Sequence, residues 1–147
     1  MAQSSAAHPE SEPAQLVPPD AVSRIGKLLR TVSAADLAEV TARLTDLCTP
    51  DITYRDPLAR ALGVDAVAAH LDYLRRVQLG RRLTLASGLD VVHEYARFGW
   101  KLADPAGRPQ FDGICVVRFA ASGLVGDILA FIGPPPPLQF RITGGIR

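Results

Sequence analysis

The sequence is poor in cysteine, in aromatic side chains and in any excess of one charge. Its two cysteines, Cys48 and Cys115, lie far apart in 147 residues, so no disulfide framework is expected and a reducing cytoplasm is the expected compartment. Sixteen basic residues stand against fifteen acidic ones, a net charge of +1 that supplies no general attraction to nucleic acid or to an acidic membrane. No apolar run approaches the ~20 residues of a membrane-spanning helix. The opening stretch MAQSSAAHPESEPAQLVPPD has neither the basic start nor the apolar stretch of a secretory signal. The three histidines, His8, His70 and His93, are scattered without ligand spacing, and no metal site is expected.

What is present describes a soluble globular chain, with 48% hydrophobic and 21% charged residues. Residues 1–19, rich in Ser, Ala, Glu and Pro, read as a disordered tail. The four prolines at 134–137 can continue neither a helix nor a central strand, so they close the folded part and leave 138–147 as a second tail. The domain therefore spans 20–137. A basic run, RRVQLGRR at 75–82, lacks interleaved aromatics and reads as a solvated helix end in preference to a phosphate-binding patch.

Helices are expected first. Asp20 can cap a helix over 21–31 with Val22, Ile25, Leu28 and Leu29 on one face. Ser33 and Asp36 resemble a capping box ahead of Leu37, Val40, Leu44 and Leu47, a stripe at helical spacing. The segment TPD then breaks the helix, a short strand covers 51–56, and a third helix covers 64–78. His70, in that helix, reads as a packing or helix–sheet contact.

After Gly80 the period changes to that of strands, over 81–104, 108–120 and 123–133, joined by turn-forming DPAG and ASG. Consecutive strands with tight turns pair antiparallel. The expected class is α+β, with N-terminal helices packed on one face of a strongly curved antiparallel sheet.

Side chains two apart on a strand share a face. That rule groups Ile52, Tyr54 and Asp56; Ala96, Phe98 and Trp100; Phe111, Gly113, Cys115, Val117 and Phe119; and Ile128, Ala130 and Ile132. These sets mix large aromatics with Gly and Ala, which suits either a size-matched core or a cavity with aromatic walls and one polar end. Asp56, before Pro57, is either the acid of an Asx-type turn or the acid of a pocket. Tyr54 is either a core aromatic or a hydrogen-bond donor to a ligand. Cys115 reads as a buried, inert thiol. Of His93 and Glu94, adjacent on a strand, at most one can face a pocket.

The stretches LTDLCTPDITYRDPLARALGVDAVAAHL and ARFGWKLADPAGRPQFDGICVVRFAASGLVGDILAFIGP carry Asp-Pro after a strand, Gly-x-Asp-Ala opening a helix, Trp ahead of Asp-x-x-Gly, and a last strand ending Phe-x-Gly-Pro. In this order and spacing they resemble the SnoaL-like and ketosteroid-isomerase-like branch of the nuclear-transport-factor-2-like superfamily, over about residues 20–137. The resemblance implies a cone-shaped α+β barrel around a deep pocket, often dimeric through the outer face of its sheet. The group includes isomerases, cyclases and dehydratases that use no cofactor, and binding modules without chemistry. Asp56 falls where ketosteroid isomerases keep a proton-shuttling aspartate, and desolvation raises the pKa of such a base.

Other positions depart from that pattern. Leu28 and Cys115 stand where the two oxyanion donors would be. The Tyr-x-Asn of limonene-type epoxide hydrolases is similar to Tyr54 and Asp56, but their Asp-Arg-Asp set has no counterpart here. The reading is a proton-transfer enzyme acting on a hydrophobic, carbonyl-bearing small molecule, as an isomerase, cyclase or dehydratase does. Asp56 is then the acid/base and Tyr54 its hydrogen-bond partner. The wall is Phe98, Trp100, Cys115, Val117, Phe119, Ile128, Ala130 and Ile132. The alternative is a non-catalytic ligand-binding or dimerisation module. A homodimer is expected in either case.

Overall fold

The computed structural model describes residues 16–138; most of the two expected tails lies outside it. Helix α1 (Ala21–Arg30) buries Ala21, Ile25, Leu28 and Leu29, whose spacing keeps them on one stripe. Val22 lies off that stripe and is exposed. Asp20 precedes the helix without capping it. Its carboxylate instead accepts from Arg24 Nε (2.9 Å), and Arg24 also donates to Gly123 O (2.8 Å), tying α1 to a turn of the sheet. A 3-10 turn over Thr31–Ser33 leads on to α2 (Leu37–Leu47).

The capping box of α2 lies three residues beyond Ser33. Asp36 Oδ1 accepts the Glu39 N–H (2.9 Å) and Glu39 Oε1 accepts the Ala35 N–H (2.7 Å). Ser33 is occupied in closing the 3-10 turn, and the chain becomes extended only at Ala34. Strand β1 (Cys48–Arg55) follows α2 directly and contains Pro50. The proline sits where the pairing slips between Cys48 and Thr53, so its missing N–H interrupts no regular ladder. A short strand that sequence periodicity does not signal, β2 (Arg60–Leu62), pairs with β1, and α3 (Val64–Val77) comes next.

The expected strand over 81–104 is three strands, β3 (Arg82–Leu85), β4 (Asp90–Val92) and β5 (Tyr95–Ala103). Both β3 and β4 pair with the same edge of β5. His93, at φ 53°, and Glu94 form the turn between β4 and β5, so neither is a strand residue facing inward. The sheet is completed by β6 (Pro109–Phe119) and β7 (Val125–Ile132).

The strand order is β2-β1-β7-β6-β5-β3, with β4 beside β3 on β5. The α+β class, with helices on one face of a strongly curved sheet, is as expected, and two details differ. The sheet is mixed, because β1 pairs with β7 in parallel. It is also strongly curved but open, and closes no barrel. Hairpin neighbours are antiparallel by connectivity, whereas β1 and β7 are separated along the chain by β2, α3 and β3 to β6, and their relative direction is a tertiary property. Slips in pairing between Leu102 and Ala103 and between Arg118 and Phe119 bend the sheet. The helices cover its concave side, and Ile25, Leu44, Ile52, Val67, Phe98, Val117 and Phe119 are fully or almost fully buried between the layers.

Candidate functional site

Between the helices and the concave face of the sheet lies a cavity of about 360 Å³. The helical side supplies Leu28, Leu29, Leu71 and Leu74; the sheet supplies Phe98, Trp100, Leu102 and Cys115 from β5 and β6, and Ile128, Ala130 and Ile132 from β7. Tyr54 and Asp56 line it from β1 and the residue that follows, and Gln78 from the end of α3. The lining is almost entirely apolar, with one carboxylate. That composition suits a hydrophobic small molecule oriented by a few polar groups.

Val117 and Phe119, expected in the wall, do not line the cavity. They share the inward face with Cys115 but are fully buried in the packed interior, farther along β6. Ile132 does line it, yet is half-exposed at the end of β7, where the sheet runs past the helices. Gly113 gives Trp100 its place. A side chain there would fall 2.6 Å from Cζ2 of the indole, and nearer still to the Phe131 carbonyl oxygen. The Trp100 Nε1–H is buried and has no acceptor among the described residues.

Asp56 makes both of the contacts its sequence context allows. Oδ1 accepts the Leu58 N–H (2.8 Å) and the Ala59 N–H (2.9 Å), an Asx-type turn around Pro57. Oδ2 accepts the Tyr54 hydroxyl (2.7 Å) and lies 2.8 Å from His70 Nε2. An ionised carboxylate can only accept, so His70 Nε2 carries the hydrogen of this contact. The side chains of His70 and Asp56 are 12% and 8% exposed, so the pair is largely dry.

Burial pushes the Asp56 carboxyl up, but hydrogen bonds from His70, Tyr54 and the Leu58 N–H outweigh it and hold the group below the usual carboxylate value. The desolvation-raised base implied by the sequence resemblance is therefore corrected: Asp56 is ionised and well solvated by protein donors. Tyr54 is pushed far up by burial and by the neighbouring carboxylate, so it stays a hydroxyl. Burial also pushes the Cys115 thiol up to about 12, against a weaker hydrogen bond from Leu129, which makes it a poor nucleophile. Among the described residues no three His, Cys, Asp or Glu side chains are placed to hold a metal ion. No helix among them is long and apolar enough to cross a membrane.

No family model matches the sequence, and no curated protein does. Solved structures do match. A proposed isomerase of the SnoaL-like family from Agrobacterium tumefaciens superimposes with a TM-score of 0.72 at 23% identity, over 77% of this chain and 97% of that one. A SnoaL-like protein of unknown function from Burkholderia thailandensis gives 0.62 at 12% identity, over 82% of this chain and 100% of that one. A nuclear-transport-factor-2-like protein of unknown function from Mesorhizobium loti gives 0.54 at 18%, over 82% of this chain and 99% of that one. The chain has the SnoaL-like, nuclear-transport-factor-2-like fold. At these identities the likeness carries the fold and leaves the reaction to the residues in the cavity.

Within this SnoaL-like fold, the polar cluster draws on three places in the chain. Tyr54 and Asp56 come two apart on one face of β1 and its extension, as strand alternation dictates. His70 comes from α3, which packs across β1. The expectation of packing or a helix–sheet contact holds for His70 in its second form, but the partner, Asp56, is one that no local spacing signals. His70 does not line the cavity but stands behind Asp56, beside Tyr73 at 6.4 Å between ring centres. Leu28 and Cys115 both line the cavity without offering a hydroxyl, and the Tyr54 hydroxyl donates to Asp56.

Proposed function

We propose that the protein is an enzyme of proton transfer on a hydrophobic, carbonyl-bearing small molecule, of the isomerase, cyclase or dehydratase type, acting in the cytoplasm without a cofactor. The observation that carries this reading is the Tyr54–Asp56–His70 cluster, with Tyr54 and Asp56 at the wall of an otherwise apolar cavity. A carbonyl oxygen entering the cavity competes with Asp56 for the Tyr54 hydroxyl. When Tyr54 turns to the substrate, Oδ2 recovers an acceptor site. The carboxylate then takes a proton from the carbon beside the carbonyl: the C–H bond breaks, an O–H bond forms on Asp56, and the electron pair passes into an enolate held by Tyr54. The same proton returns to another carbon, or assists departure of a hydroxyl group. His70, still bonded to Oδ2, keeps the carboxyl aimed.

Turnover of a panel of enones and polyketide-like ketones by Asp56→Asn and Tyr54→Phe tests the scheme. A loss of about 10²–10⁴-fold is expected for the aspartate variant, the usual contribution of a positioned base. Unchanged rates in both variants would eliminate the role.

A second reading has an observation of its own. Every hydrogen-bonding position of Asp56 is filled by the protein itself, as in a structural carboxylate. On that reading the cavity binds a hydrophobic ligand and leaves it unaltered, and long incubation followed by mass spectrometry returns the ligand unchanged. In both readings the protein pairs as a homodimer through the outer face of β6 and β7. There Ile114 lies opposite Phe131 and Val116 opposite Leu129, with Phe131 half-exposed.

A further inference from the structure

The basic run from Arg75 to Arg82 takes no part in the cluster at Asp56, and the fold gives it a shape. Helix α3 ends at Val77, the Arg81 N–H donates to Gln78 O (2.9 Å), and Gly80, at φ +78°, takes the left-handed backbone that the reversal needs. The turn gathers Arg75, Arg81 and Arg82 around a second depression, of about 260 Å³, closed on its other side by Val32, Ser33 and Ala34. No carboxylate lines it.

The charges here are unbalanced. Arg75 and Arg76 share one partner, Asp72, at 2.7 and 3.2 Å. Arg81 donates to the neutral Gln78 Oε1 and lies near enough to Asp104 to help lower that carboxyl's pKa. The Arg82 side chain has no hydrogen-bond or ion-pair partner among the described residues, and neither has the Ser33 hydroxyl. A guanidinium without a carboxylate partner, as in Arg82, matches the paired oxygens of a carboxylate or phosphate, and Arg75 and Arg81 add positive charge beside it.

The depression also touches the apolar cavity, because Val32 and Gln78 line both. From His70, which holds Asp56, to Gln78 the chain climbs α3 by about 12 Å at 1.5 Å per residue. An apolar cavity thus has a carboxylate cluster toward one end and, toward the other, a depression lined by three arginines and no carboxylate.

We propose that the Arg75–Arg81–Arg82 depression receives an anionic group, a carboxylate or a phosphate, borne by the same molecule whose apolar body fills the cavity. The substrate class is then an amphipathic acid whose charged group and reacting atom lie at opposite ends of an apolar body. This inference rests on the cavity being a ligand site, as proposed above, and does not depend on the reaction. Gln78, shared by both hollows, marks the passage between tail and body.

The test uses the full chain and its single tryptophan, Trp100, which lines the cavity and reports its occupancy. Decanol, decanoate and decyl phosphate are titrated separately while Trp100 fluorescence is followed. Decanoate, decyl phosphate or both are expected to bind about tenfold or more tightly than decanol, the ratio for a hydrogen bond to a charged group. The preferred anion separates an acid from a phosphorylated substrate. Raising the salt concentration is expected to narrow the gap. The double variant R81Q/R82Q, altered at the surface, is expected to bring the anion's affinity down to that of decanol. Equal binding of all three amphiphiles by the unaltered protein overturns this inference alone, as does a preference that survives R81Q/R82Q. Failure of all three to perturb Trp100 overturns it together with the ligand-site reading.

Discussion

His70 Nε2 lies 2.8 Å from Oδ2 of Asp56, so the middle of α3 is fastened to the end of β1 at the wall of the cavity. The contact joins residues fourteen positions apart and shares its oxygen with the Tyr54 hydroxyl. It lowers the carboxyl pKa and fixes the direction in which Oδ2 points, which makes His70 a positioning residue.

Replacing His70 by Phe removes one of the hydrogen bonds that hold the Asp56 carboxyl down, so that carboxyl must titrate at higher pH. The acid limb of the pH profile for kcat/KM is expected to move upward. His70→Gln, which keeps an N–H donor, is expected to move it less. A residue that only filled space would lower the whole profile without displacing its limb.

Stability should follow the same carboxylate. Its folded pKa lies below the unfolded value of about 3.9, so the ionised form stabilises the fold at every pH above that value. The contribution is lost as pH falls through the lower, folded pKa. Urea midpoints measured between pH 6 and pH 3 are expected to fall for the unaltered protein, and less steeply for Asp56→Asn. Glu39 and Asp104, far from the substitution, are shifted in the same direction in both proteins, so the difference between the two curves isolates Asp56.

Gly113→Ala tests how the aromatic wall is seated. The added methyl group meets the Trp100 ring and the Phe131 carbonyl across the β6–β7 pair, where backbone must move. A loss of about 1–3 kcal/mol is expected, the usual cost of overpacking. A shift of the Trp100 emission should accompany it.

Phe98 is 2% exposed and stands in both the core and the cavity wall. Phe98→Ala is expected to cost about 3–5 kcal/mol in denaturant unfolding, the range for truncating a buried aromatic.

The outer sheet face is tested by charge. Phe131→Glu combined with Val116→Glu places two like charges on the apolar strip of β6 and β7, which a homodimer would have to bury unpaired. Sedimentation is expected to show monomers for this variant and dimers for the unaltered chain, with the fold of each checked by circular dichroism.

Much of this architecture is local and was readable in the residues. The stripe of Val40, Leu44 and Leu47 sets the inner face of α2, although Leu37, expected on it, is exposed at the start of the helix, and the alternation of Ala96 and Phe98 with Arg97 sets that of β5. The two-residue step from Tyr54 to Asp56 places both on one side of β1. Periodicity reports which way a side chain faces, and nothing more is needed for these statements.

Other features had no local cause. The parallel β1–β7 pair, the slips that bend the sheet and the break between β3 and β4 depend on contacts between distant segments. Val117 and Phe119 share a face with Cys115, yet whether an inward side chain meets a cavity or packed atoms depends on how far the helices reach over the sheet. The largest change concerned Asp56. By sequence it was a turn former or a pocket acid; the fold makes it both, because its two oxygens point to different partners. The tertiary packing of α3 on β1 then helped lower its pKa, since one of the donors that hold the carboxyl down is His70, a residue whose part no local pattern announces.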